Sequence, residues 1–140
     1  MKSFLLLAVA ILFCVPTNAH MKQWPDLDHW LMSLYSKDRG ACCDSSEAET
    51  MADPDWRNAS EFKKGECVNS NPRGNESASE AEVVFCVRLQ TPETDQWNWW
   101  TVPAAAVVEL PNRAGPALVW LIWISGKQPY IRCFLPGAGG

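Results

Sequence analysis

The 140-residue chain is short of long apolar runs, of histidine and of positive charge, and each shortage removes a class of function. A membrane-spanning helix needs ~20 apolar residues. The two most apolar stretches, Phe4–Val15 and Ala117–Ile124 (ALVWLIWI), fall well below that, and the second is the length of a strand. Lysine and arginine number 12 against 16 aspartates and glutamates, a formal charge of −4. Neither nucleic acid nor an anionic membrane is therefore expected as a partner. With only two histidines, His20 and His29, and no CxxC pair, the chain has no framework for a metal centre. No metal or other cofactor is expected. A GxSxG nucleophile elbow is also missing, and the scattered carboxylates form no recognisable acid–base pair, so no residue is assigned a catalytic role.

Six cysteines, eight tryptophans and ten prolines are present instead. The first residues have the pattern of an export signal. Lys2 supplies the positive start, Phe4–Val15 the apolar run, Pro16 a break, and Thr17-Asn18-Ala19 a small-x-small cleavage site. Bulky Phe13 before Cys14 argues against a lipoprotein site. Residues 1–19 are read as a signal peptide and residues 20–140 as a single secreted domain, probable setting the periplasm, with no membrane span after cleavage.

An oxidising compartment favours disulfides, and the mature chain keeps Cys42, Cys43, Cys67, Cys86 and Cys133. Adjacent Cα atoms lie ~3.8 Å apart, whereas disulfides prefer ~4.4–6.8 Å. A Cys42–Cys43 bridge would be strained, and each is expected to reach a distant partner. Five cysteines leave one odd residue and many connectivities. Cys86, inside the apolar EVVFCVRL, is the expected buried free thiol, with Cys67 and Cys133 meeting the adjacent pair.

Leu27, Trp30, Leu31, Leu34 and Tyr35 recur at helical spacing, which predicts an amphipathic helix over residues 25–36 packed on the core. Gly40 is its expected stop. Residues 44–81 read as a polar loop region, with Asp44 and Glu47 suited to capping a turn and N-glycosylation triplets at Asn58 and Asn75. Residues 82–135 read as a sheet. Its strands are expected at 82–89, 97–102, 117–124 and 130–135, with breakers between them. Residues 136–140 (PGAGG) are expected to fray. The predicted fold is α+β: one antiparallel sheet of about four strands, an N-terminal amphipathic helix on it, and disulfides tying the cysteine pair to the sheet.

The segments YSKDRGACC, WWTVP, AVVELPNRAGPALVW and YIRCFLPG resemble a group of small exported proteobacterial proteins. That group carries a cysteine pair, a W-x-VP strand and a closing RCF-x-P. The likeness spans about Trp30 to Gly137 and implies a bacterial, periplasmic setting without implying any catalytic role. Many members carry a cysteine in the strand before the RCF strand, where this chain has Trp120, and this chain has Cys86 elsewhere. No bridging scheme is therefore transferred.

Three constellations bear on function. In the strand WNWW, alternation places Trp97 and Trp99 on one face and Trp100 with Asn98 on the other. An exposed tryptophan face stacks on sugar rings or anchors a protein interface. Cleavage after Ala19 would leave the α-amine and imidazole of His20 to bind copper, with His29 completing a nitrogen site. Thiol chemistry by Cys86 with His29 as base is the remaining option. The favoured reading is an exported, disulfide-stabilised, non-enzymatic domain that binds a protein or glycan in the cell envelope. Its rivals are a copper-binding protein and an envelope enzyme of unrecognised type.

Overall fold

The computed structural model describes residues 24–43, 46–70 and 81–139. The expected signal peptide, His20, the Asp44 cap and the Asn75 triplet lie outside the described residues. Within them the architecture is mainly antiparallel β with one short helix, and the β content is divided among three sheets.

The N-terminal helix is much shorter than its spacing predicts. A 3-10 turn at Pro25–Leu27 leads into α1, Asp28–Met32. Ser33 then ends the helix, its hydroxyl donating back to the Trp30 carbonyl at 2.7 Å. The next residues form a small hairpin, β1 (Tyr35–Ser36) with β2 (Gly40–Ala41). Gly40, the expected helix stop, instead supplies the left-handed backbone (φ +80°) that this turn requires. Leu31 and Leu34 are still buried as the apolar stripe requires, while Tyr35 is exposed on β1.

The polar stretch read as loop contributes two short strands, β3 (Ala48–Met51) and β4 (Trp56–Asn58). The later strands fall close to expectation: β5 (Val83–Gln90), β6 (Trp97–Pro103), β7 (Ala117–Ile124) and β8 (Gln128–Leu135). They do not form one sheet. β5 and β6 join β4 in the order β4-β5-β6, and β7 and β8 join β3 in the order β3-β7-β8.

The apolar character of β7 on both faces follows from its position. It is the central strand of its sheet, and both sides are covered. Ala117, Val119 and Leu121 pack against Val87, Leu89, Trp100 and Val102 of the β4-β5-β6 sheet. Leu118 and Trp120 face the opposite way, onto Leu31, Leu34 and Val108. Phe134 lies in the inter-sheet layer, with ring centroids 5.2 Å from Phe85 and 5.9 Å from Trp56. The two sheets thus share one apolar core, and α1 closes the outer face of the β3-β7-β8 sheet.

The C-terminal segment is held by backbone and side-chain bonds, contrary to the expected fraying. Asn112 donates through Nδ2 to the carbonyls of Pro116 (2.7 Å) and Pro136 (2.8 Å). Its Oδ1 accepts from the amides of Ala114 (2.8 Å) and Gly115 (3.0 Å). Ala138 donates to the Gly115 carbonyl at 2.9 Å. One amide side chain therefore fixes the turn before β7 and the exit from β8 together.

Candidate functional site: the sulfur network and the inter-sheet cleft

Cys42 is bonded to Cys133 and Cys67 to Cys86, with Cα separations of 5.5 and 6.3 Å. Cys43 is the free thiol. This corrects the expected assignment, in which Cys86 was free and Cys67 met the adjacent pair. Along β5, Phe85, Val87 and Leu89 enter the inter-sheet core. Alternation places Cys86 on the outer face with Arg88 and Gln90, and there Cys67 covers it, leaving Cys86 1% exposed. Shelter and a partner coincide at this residue.

A β-bulge brings Cys133 to Cys42. Trp120 pairs with Cys133 and Leu121 with Ile131, so Arg132 is the extra residue on β8. Ile131 faces the inter-sheet core, and after the bulge Cys133 faces the α1 side beside Cys42. Without the insertion, residues 131 and 133 would share a face. The shorter bridge is nested inside the longer one, with sequence separations of 19 and 91.

The Cys43 sulfur lies 3.4 Å from the Leu31 carbonyl. Burial pushes its thiol pKa up, and the charge of Asp28 adds to this, while the neighbouring Trp120 side chain pulls the other way. The thiolate is the reactive form, so alkylation should be slow at neutral pH and accelerate as pH rises above the ordinary thiol range. Native, non-reduced protein should take up a single alkyl adduct, at Cys43. An adduct at Cys86 in peptide mapping would show the pairing to be wrong.

The WNWW strand divides its tryptophans between two roles. Trp100 is 5% exposed and belongs to the core. Trp99 is on the opposite face beneath Phe62, at 4.9 Å between centroids, with the Arg57 guanidinium 5.9 Å from its ring. Trp97 is 52% exposed and carries the Arg88 guanidinium 5.3 Å from its ring. The expected three-tryptophan platform therefore reduces to Trp97, because residues 59–62 fold over its neighbour. His29 is exposed on α1. Among the described residues no group of three or more His, Cys, Asp or Glu side chains could hold a metal ion, and no helix is long and apolar enough to cross a membrane.

Trp97 lines a cleft of about 270 Å³ between the two large sheets. Glu49 of β3, Asp55 of the following turn, Arg88 and Gln90 of β5 and Trp123 of β7 also line it, above Leu89 and Val119 of the core. Its volume is close to the lower end of the ~300–1,000 Å³ usual for ligand pockets, suited to one ring with its substituents. Asp55 pairs with Arg88 at 3.7 Å. Trp123 is braced edge-on by Trp100, with centroids 6.1 Å apart. Loss of water around Glu49 raises its carboxyl pKa.

Sequence reasoning found Trp97 and missed the other members of this cleft. Trp123 had a usable signal, since it shares the parity of Ala117, Val119 and Leu121 along β7. Glu49 and Asp55 had none, because their strand and turn are placed by contacts remote in sequence. No family model, curated protein or solved structure matches the chain.

Proposed function

We propose that the chain is an exported, disulfide-stapled, non-enzymatic binding domain of the cell envelope, and that its ligand is a glycan seated on Trp97 at the cleft. The observation that carries this reading is the Trp97 ring, half exposed beside a concave site rather than packed into the core. An indole face stacks on the apolar face of a sugar ring, and Gln90 and Thr50 add polar groups to the same lining. Two disulfides suit an oxidising compartment, in agreement with the export pattern of residues 1–19. The resemblance to small exported proteobacterial proteins supports the same setting.

Titration of the protein with a panel of envelope-type oligosaccharides, followed by intrinsic fluorescence and calorimetry, tests the reading. Trp97→Ala should weaken binding by about threefold to tenfold, the equivalent of ~0.5–1.5 kcal/mol for an aromatic contact, while leaving the thermal midpoint nearly unchanged. Binding that survives Trp97→Ala intact, or a folded protein that binds no member of the panel, would overturn it.

A further inference from the structure

We infer that the sugar recognised by this cleft carries a free, protonated amine, so that the ligand is an amino sugar that is not N-acetylated. The inference rests on the glycan reading above and narrows it.

The charges in the cleft are unevenly matched. Asp55 and Arg88 answer each other at 3.7 Å, and Arg88 is also stacked on Trp97. Glu49 lines the same space with neither a hydrogen bond nor an ion pair to any described residue. Two carboxylates against one guanidinium leave the cleft with one unanswered negative charge. Its pairing within β3-β7-β8 places Glu49 opposite Val119, a residue of the inter-sheet core. The carboxylate thus stands on the edge strand at the cleft, beside the apolar layer.

A carboxylate in such a place is matched by a cation that brings its own hydrogen-bond donors. An ammonium group does this with three. The aromatic members of the lining favour the same group, because the faces of Trp97 and Trp123 attract a cation as well as an apolar ring surface. A hexosamine combines the two features in one small molecule: a ring to stack and an ammonium to pair. The burial that raises the Glu49 pKa is consistent with this, since it disfavours an uncompensated carboxylate. An N-acetylated sugar offers a neutral amide in place of the ammonium and leaves Glu49 without a counter-charge.

The test compares glucosamine oligomers, their N-acetylated counterparts and oligolysine of equal charge, at physiological ionic strength, against the wild-type protein and Glu49→Gln. The glucosamine oligomer should bind at least tenfold more tightly than the acetylated one. Glu49→Gln should remove that preference by weakening only the glucosamine oligomer, with an unchanged thermal midpoint. Equal binding of the two sugars, or a preference that survives Glu49→Gln, overturns the amine inference and leaves the glycan reading in place. If neither these sugars nor the wider oligosaccharide panel binds, both fall. Oligolysine binding as tightly as the glucosamine oligomer would show that charge alone is being read, and would overturn the assignment to an amino sugar.

Discussion

Replacing Cys133 by serine should lower the stability of the folded protein by about 2–5 kcal/mol. The bridge it removes links residues 91 apart, and Cys42 and Cys133 are both fully buried. Two effects add. The unfolded chain regains the freedom that a long closed loop had denied it. The folded state keeps a hydroxyl where a sulfur had been bonded, in an apolar cluster that includes Leu31, Trp120 and Leu135. Small domains have about 5–15 kcal/mol in total, so the variant should lose a large part of its margin. Cys67→Ser opens a loop with a separation of only 19. By loop entropy alone its loss should be smaller by about 1 kcal/mol. Urea unfolding of both variants under non-reducing conditions gives the comparison. A Cys67→Ser loss exceeding that of Cys133→Ser would contradict it.

Phe134→Ala is the second large effect, with an expected loss of about 3–5 kcal/mol. Phe134 is fully buried between the two large sheets, in ring contact with Phe85 of one and with Trp56 at the margin of the same sheet. Its removal opens a cavity bounded by strands that cannot approach one another without disturbing their hydrogen bonds. Mutation at this position therefore acts on the joint between sheets more than on either sheet alone. The check is denaturant unfolding with near-ultraviolet circular dichroism, which reports the packing of Trp56 and Trp100. A loss below about 1.5 kcal/mol would mean that the sheets do not share a core at this point.

Local patterns carried much of this structure, and non-local pairing carried the rest. The strands at 83–90, 97–103, 117–124 and 128–135 follow from runs of valine, tryptophan and isoleucine bounded by turn residues. The central place of β7 follows from its unbroken apolar sequence. What those runs lack is any mark of which strand lies beside which. The division into two sheets depends on Ala48–Met51 pairing with β7 and Trp56–Asn58 pairing with β5, contacts made across long separations by short, polar segments. The helix was overextended because Leu31 and Leu34 are buried equally well by a longer helix or by a short one that turns at Ser33. The cleft suffered the same limit. The exposure of Trp97 was foreseeable from alternation in its strand, whereas Glu49 enters only through the pairing of β3. For the sulfurs, alternation along β5 could have placed Cys86 beside Arg88 on the outer face, but no sequence rule indicates that Cys67 covers it.

The nesting of the two bridges has a mechanical consequence. Tension applied at the two ends of the folded chain enters at residues before Cys42 and leaves after Cys133, so the Cys42–Cys133 bond carries the load directly. The strands β3 to β7 and most of β8 lie inside that closed loop and are shielded from the pull. The hidden contour of 91 residues, roughly 300 Å when extended, can be released only by cutting that bond. A single backbone cut within the loop would likewise leave the two pieces covalently joined. For a domain tethered between other bodies, extensibility would thus be governed by the redox state of one buried sulfur pair rather than by the strength of its sheets.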